Sequence, residues 1–201
     1  LKKLALMIKP FEFYFDFVSP YSFLAHKELR KIENREGIKI KYNPILLGGL
    51  HNLHGIKAPA FIPAKARHMI KDCKLIAEKN NIRFKFNSYF PIRSLGLMRG
   101  VLVAEEDNIK NYYIDNIFNT IWQDGLNMND QIIIEKVLKN LNVNPKTFIL
   151  RSTSSIIKDS LRKKTNDAYE KGIFGAPTFV VNNKIFWGQD RIEFALSEAN
   201  K

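Results

Sequence analysis

Ser19 is the residue whose type and position offer the clearest chemistry, in the run Ser19-Pro20-Tyr21-Ser22. Serine is a favoured residue just before a helix, and proline suits the first helical position. A hydroxyl placed there would lie beside unpaired backbone N–H groups and the positive end of the helix dipole, which attract an anion. Two interpretations follow from this stretch alone: Ser19 only caps the helix, or it also helps to bind an anion.

The flanking residues predict the elements that position Ser19. Residues 11–18 alternate, with phenylalanines at 11, 13, 15 and 17, which is typical of a strand. Residues 21–36 place their apolar side chains at helical spacing, and Gly37 is a natural helix end. Ser19 is therefore predicted to lie where a strand passes into a helix.

Two other kinds of reactive side chain have simpler interpretations. His51 and His54 are three residues apart, but no third ligand accompanies them, so the sequence favours loop histidines and predicts no metal site. Cys73, the single cysteine, lies on the apolar face of a helix predicted over residues 64–80. Because nothing near it would hold a thiolate, it is predicted to be a buried, inert thiol.

Composition limits the classes of protein to consider. The 201 residues are 45% hydrophobic, which favours a folded chain with one core or one core plus a sizeable insertion. No apolar run is long enough to span a membrane, and residues 1–9 are too short for a secretory signal. One cysteine excludes an intrachain disulfide, and a reducing, cytoplasmic setting is expected.

The net charge of +12 is concentrated in residues 57–99, which hold ten Lys or Arg against two Asp or Glu. Such a region attracts nucleic acid, acidic lipid or a small anion. No zinc spacing or RNA-binding strand motif accompanies it, so we expect no nucleic-acid or membrane partner. The ordinary interpretation of these basic residues is a solvated helix face. If the charge has a function, binding of a small anionic ligand suits it best.

The order of elements predicts the fold class. A strand over residues 38–42 follows the first helix, and residues 44–63 contain glycines and prolines typical of a long irregular connection. Helices and loops then continue to residue 172. A hairpin turns at Asn182-Asn183, and a last helix over residues 191–199 is predicted to begin with a capping box between Asp190 and Glu193.

This arrangement predicts an α/β protein in which a thioredoxin-like mixed sheet is interrupted by a large all-helical insertion. The predicted boundaries are residues 10–45 and 173–201 for the thioredoxin-like domain and 46–172 for the insertion.

Several motifs in order give the chain a resemblance to a known family. They are Phe13-Tyr14-Phe15-Asp16-Phe17-Val18-Ser19-Pro20-Tyr21-Ser22, Leu47-Gly48-Gly49 with Ile62-Pro63-Ala64-Lys65, Gly175-Ala176-Pro177-Thr178, and Phe186-Trp187-Gly188-Gln189-Asp190-Arg191. Together they resemble 2-hydroxychromene-2-carboxylate isomerases and kappa-class glutathione transferases, which belong to the wider DsbA-like group. The resemblance runs from about Phe13 to Ala199.

The resemblance implies a role for Ser19. Oxidoreductase members carry Cys-Pro-x-Cys at this turn, whereas Ser19 and Ser22 stand at both cysteine positions here. Dithiol exchange needs a protein thiolate, so the sequence argues against it. A serine can instead donate a hydrogen bond to the thiolate of glutathione, the cofactor that the resemblance implies. Ser19 is an activator rather than a nucleophile, because no histidine base is evident.

The resemblance also implies a glutathione site. Its predicted residues are Ser19, Lys57, Lys65, Ala176, Pro177, Gln189 and Asp190. Ser19 would hold the sulfur, the Ala176 backbone would pair with the cysteinyl part, and Pro177 would be cis. Gln189 and Asp190 would bind the γ-glutamyl end, and Lys57 or Lys65 a carboxylate.

One departure from the family pattern concerns the linker. Many members have Gly-Asn there, with the asparagine on glutathione, whereas this chain has Gly55-Ile56. The contact is lost or is supplied by a neighbour such as Lys57.

The predicted function is glutathione-dependent cis-trans isomerisation of an aromatic enone carboxylate. The implied substrate is a small aromatic anion, and the candidate wall residues are Tyr21, Phe90, Arg93 and Trp187. Residues 46–63 and 90–94 are expected to cover the cleft, and a homodimer is expected from the resemblance. The alternatives are a kappa-type transferase or peroxidase and, from another class, a non-catalytic basic binding protein.

Overall fold

The computed structural model describes residues 11–201 and contains four strands and nine α-helices in that part of the chain. In chain order they are β1 (Phe11–Phe15), α1 (Pro20–Glu36), β2 (Ile40–Pro44), α2 (Leu47–His54), α3 (Pro63–Lys79), α4 (Leu95–Glu106), α5 (Lys110–Trp122), α6 (Gln131–Asn140), α7 (Pro145–Ser152), α8 (Ser155–Glu170), β3 (Thr178–Val181), β4 (Lys184–Trp187) and α9 (Ile192–Ala199). Short 3-10 turns lie at Pro59–Phe61 and Gln189–Arg191.

The strands form one mixed sheet in the order β2-β1-β3-β4. Strand β1 runs parallel to β2 and antiparallel to β3, which pairs with β4. All helices from α2 to α8 lie between β2 and β3 in sequence. The predicted mixed sheet interrupted by a helical insertion is therefore confirmed.

The alternating phenylalanines of β1 anchor the core. Phe11, Phe13 and Phe15 are fully buried, and the Phe13 ring stacks on Phe179 of β3 and meets Tyr42 of β2 edge-on. Apolar side chains of the insertion join the same cluster, because Phe118 of α5 packs on Phe15. The apolar core is thus continuous from the sheet into the insertion.

The predicted domain boundaries stay a prediction. Residue 10 and the predicted absence of a secretory signal in residues 1–9 lie outside the described residues. Within residues 11–201, no helix combines the length and apolar character needed to cross a membrane.

Three local predictions were wrong. Strand β1 ends at Phe15, not at residue 18, because the chain turns there. The predicted irregular connection contains helix α2, which ends at Gly55 in a left-handed conformation with φ 66°. No capping box starts α9, because Asp190 lies in a 3-10 turn and its carboxylate faces Arg191 at 3.5 Å.

Candidate functional site

Ser19 both caps α1 and bridges to a second segment. Its hydroxyl accepts a hydrogen bond from the Ser22 N–H at 3.1 Å and donates one to the Ala176 carbonyl at 3.1 Å. Its backbone is extended, with φ −86° and ψ 113°, as expected for a residue that precedes a helix. Only 5% of Ser19 is exposed. The hydroxyl therefore lies at the helix N-terminus, with its proton directed at the Ala176 carbonyl.

The loop that faces Ser19 has the predicted cis bond, between Ala176 and Pro177. The Thr178 hydroxyl donates to the Gly175 carbonyl at 2.7 Å, and the Gly188 N–H donates to the Pro177 carbonyl at 3.0 Å. These bonds fix the shape of the loop, and the Ser19 hydroxyl bond to the Ala176 carbonyl joins the loop to the start of α1. Within residues 11–201, the Ala176 N–H donates no hydrogen bond, so it is free to pair with an extended peptide.

Ser22 stands where the oxidoreductases' second cysteine would be. Its side chain is fully buried, and its hydroxyl has no hydrogen-bond partner in the part of the chain that the structure describes. No cysteine lies in the turn, since the one cysteine of the sequence is Cys73 in α3. The turn can therefore offer hydroxyl and amide donors but no thiolate of its own.

Asp16 is a site residue that the sequence reasoning missed. Its carboxylate is fully buried and accepts hydrogen bonds from the Val18 N–H at 3.0 Å and the Leu47 N–H at 2.8 Å. Burial raises the pKa of Asp16, and hydrogen bonds from Ser94, Val18 and Leu47 oppose that shift. An acidic residue inside an apolar alternating run was the available sequence signal.

Trp187 lies beside the loop that faces Ser19. Its indole packs on the Phe174 ring at 4.9 Å, and a Cβ on Gly175 would come within 2.5 Å of Nε1. Trp187 is 54% exposed and Phe174 39%, so the pair presents an aromatic surface to solvent. Phe174 was not predicted, because the short run Ile173-Phe174 between two glycines shows neither strand nor helix periodicity.

Gln189 and Asp190 follow the aromatic pair in the turn between β4 and α9. The Gly188 N–H bond to Pro177 fastens this turn to the loop that faces Ser19. Asp190 is exposed and Gln189 half-buried. The structure thus connects Ser19, Ala176, Pro177 and the Gln189-Asp190 turn through one side-chain-to-backbone and one backbone hydrogen bond.

Two predicted wall residues are engaged in packing. Tyr21 donates its hydroxyl to the Asp72 carboxylate in α3 at 2.8 Å, and burial raises the pKa of Tyr21. Phe90 packs on Phe86 at 5.2 Å and on Trp122 at 5.9 Å between ring centroids. Both side chains are half-buried, so each keeps part of its surface in solvent.

The predicted cations lie on the surface of the insertion. Lys57 follows α2, Lys65 is in the first turn of α3, and Arg93 precedes α4; all three are exposed. The structure shows no contact that ties them to Ser19 within residues 11–201. Their roles therefore stay predictions.

His51 and His54, the two histidines singled out in the sequence, lie in helix α2 and not in a loop as predicted. His54 lies in α2, where its Nε2 is 2.9 Å from the Ile173 carbonyl, and desolvation lowers the pKa of His51. Among the described residues, no group of three or more His, Cys, Asp or Glu is placed to hold a metal ion.

We expect Cys73 to be unreactive in the native protein. Its side chain is fully buried, and desolvation raises the pKa of its thiol to about 12, so the thiolate is scarce at neutral pH. Maleimide labelling followed by intact-mass measurement should detect no adduct before denaturation and one adduct after it. Stoichiometric labelling of the native chain would contradict this assignment.

The comparisons with known proteins point to one group. The family described as DsbA-like thioredoxin domain matches residues 11–199. A 2-hydroxychromene-2-carboxylate isomerase from Sphingobium xenophagum is 28% identical over 190 residues, covering 94% of this chain and 96% of the relative. Glutathione S-transferase kappa 1 from Caenorhabditis elegans is 29% identical over 195 residues, covering 90% of this chain and 86% of the relative.

A solved structure of a 2-hydroxychromene-2-carboxylate isomerase superposes with a TM-score of 0.86 at 25% identity, covering 94% of this chain and 93% of that one. A probable DsbA oxidoreductase from Streptomyces coelicolor shares the fold, with a TM-score of 0.70 at 14% identity over 95% of this chain and 89% of that one. The similarity therefore extends through the helical insertion as well as the sheet.

Proposed function

This chain belongs to the DsbA-like thioredoxin domain family, and from that premise we propose that it is a glutathione-dependent cis-trans isomerase of an aromatic enone carboxylate. Its relatives include isomerases of this type and kappa-class glutathione transferases. The observation that carries the proposal is the Ser19 hydroxyl at the N-terminus of α1, bonded across to the Ala176 carbonyl. A hydroxyl there can activate a thiol that a ligand brings.

The residues at the turn fit glutathione. The unpaired Ala176 N–H suits the backbone of the cysteinyl part, while Ser19 and the N-terminus of α1 favour a thiolate over a thiol. Gln189 and Asp190 lie on the turn that is hydrogen-bonded to the same loop. There the Asp190 carboxylate can accept a hydrogen bond from the α-amino group of the γ-glutamyl end. Lys57 or Lys65 is proposed to bind a carboxylate of the tripeptide as a point charge.

When bound, glutathione would supply a thiolate nucleophile for reversible addition to the enone double bond, with no net change in the thiol. The chain's own residues are arranged to prepare that thiolate. The Ser22 N–H holds Ser19 Oγ in place, and the Ser19 hydroxyl would redirect its hydrogen bond from the Ala176 carbonyl to the bound sulfur. Trp187 and Phe174 provide an aromatic surface for the substrate ring.

Glutathione should stabilise the protein against heat. At a concentration 100 times its dissociation constant, a ligand specific for the folded state raises the free energy of unfolding by about 2.7 kcal/mol. For a chain of this size, that corresponds to a rise in Tm of roughly 5–11 °C. Differential scanning fluorimetry with millimolar glutathione measures it.

The matched control ligand for that experiment is γ-glutamyl-seryl-glycine, which keeps the peptide but lacks the sulfur. It should give a smaller rise in Tm than glutathione. No rise in Tm with glutathione at any concentration would contradict the proposed cofactor.

The kappa-type transferase is the second candidate, because the relatives include proteins of both names and one activated thiol at the Ser19 turn would serve either reaction. Assays with a hydroxychromene carboxylate and with an aromatic electrophile separate the two. Turnover of the first substrate supports the isomerase, whereas conjugation of the second without isomerisation supports the transferase. Salt-dependent binding to DNA or RNA with no response to glutathione would instead favour a basic binding protein.

A further inference from the structure

Asp16 is a charged group that the proposed chemistry does not use directly. It lies three residues before Ser19, and the Ser19 N–H donates to the Asp16 backbone carbonyl at 3.1 Å. Its carboxylate is fully buried and accepts hydrogen bonds from the Val18 N–H at 3.0 Å and the Leu47 N–H at 2.8 Å. Both partners are donors, which is the arrangement that a carboxylate anion needs.

One of these donors, the Leu47 N–H, lies at the start of an insertion helix. Leu47 is the first residue of α2, whose cap residue Leu46 provides no side-chain hydrogen bond. The Asp16 carboxylate therefore does for α2 what a local cap would do.

We propose that Asp16 is a positioning residue that fastens the Ser19 turn to the first turn of α2. The backbone bond from Ser19 to Asp16 transmits that constraint to the cap of α1. Met98 of α4 supports the same junction, because its sulfur accepts a hydrogen bond from the Phe17 N–H at 3.4 Å. The insertion and the Ser19 hydroxyl are thereby kept in one fixed relation.

The burial of this charge argues for such a role. A buried carboxylate with a raised pKa favours the folded state when it is protonated, and that contribution is lost as pH rises through its pKa. An ionised Asp16 is thus held at the expense of stability. A buried carboxylate held at such a cost fits a role in fixing the local geometry.

The test compares Asp16→Asn with the exposed-site control Asp124→Asn. Asparagine has similar size but directs an N–H₂ group at one of the donors, so at least one bond in the junction breaks. Hydrogen exchange at the Val18 or Leu47 amide should accelerate at least about ten-fold in Asp16→Asn and not in the control. Unchanged exchange at both amides would overturn the proposal.

The consequence for Ser19 rests on the proposed function and is measured separately. The ultraviolet absorbance of the thiolate should show that the pKa of bound glutathione is higher in Asp16→Asn than in the wild type. The kcat should fall about ten-fold, with a change in KM for glutathione of less than about two-fold. If kcat and the thiol pKa of bound glutathione in Asp16→Asn equal the wild-type values, the positioning role is overturned.

The two proposals fail in different ways. A wild-type protein that binds no glutathione contradicts the proposed cofactor, while the exchange measurement still decides whether Asp16 forms the junction. Should Asp16→Asn not fold, Met98→Leu removes the sulfur that accepts the Phe17 N–H bond at the same junction and is expected to move both readouts in the same direction by a smaller amount. No change in either readout with Met98→Leu would then overturn the proposal.

Discussion

Replacing Ser19 by alanine is expected to lower turnover at least about ten-fold while the fold survives, because one hydrogen bond to a charged group contributes about 1.5–3 kcal/mol. Without the hydroxyl, only the N-terminus of α1 favours the thiolate, so the pKa of bound glutathione should rise. At neutral pH less thiolate is then present, and kcat falls. Stopped-flow or steady-state rates with saturating glutathione measure the effect.

The same substitution has a smaller effect on stability. It removes the cap that Ser19 provides to the Ser22 N–H, and lost serine caps lower stability by about 0.5–2 kcal/mol. Ser197→Ala, in an exposed position of α9, is the matched control and should leave both turnover and stability unchanged. Unchanged kinetics in Ser19→Ala would reject the role of the hydroxyl as an activator.

Trp122→Ala should cause the largest loss of stability. The side chain is fully buried and stacks on Phe84 with ring centroids 6.1 Å apart. Its Nε1–H donates a hydrogen bond at 2.9 Å to the carbonyl of Phe17, which lies two residues before Ser19 in sequence. Removing a buried tryptophan typically lowers the free energy of unfolding by about 3–5 kcal/mol. For a chain of this size the Tm should fall by roughly 6–20 °C.

Two further variants separate packing from hydrogen bonding. Trp122→Phe keeps much of the ring but leaves the Phe17 carbonyl without its donor, which should lower stability by about 1–3 kcal/mol. Trp187→Ala removes an exposed indole and should lower it by less than about 1 kcal/mol. Thermal or urea unfolding measures all three, and equal losses for Trp122→Ala and Trp187→Ala would contradict this account.

The fold was largely predictable because its elements carry local signals. The alternating phenylalanines of β1 and the Asn182-Asn183 turn, with φ 52° and 61°, need no long-range information. Helix α2 was missed because its first N–H is bonded by Asp16, a residue 31 positions away in sequence. A cap supplied from that distance leaves no pattern around Leu47.

The candidate site was predictable only in part. Motifs marked the Ser19 turn and the Ala176-Pro177 bond, since each is defined by consecutive residues. The bond between Ser19 and Ala176 joins residues 157 apart, and the pairing of Phe174 with Trp187 depends on how β4 pairs with β3. Such contacts are set by tertiary packing, and no periodicity in the sequence encodes them.

The most direct measurement is a crystal structure of the protein with glutathione bound. The account predicts the sulfur within hydrogen-bonding distance of Ser19 Oγ and the cysteinyl backbone paired with Ala176. A sulfur bound elsewhere, or a tripeptide absent from the turn at saturating concentration, would contradict it.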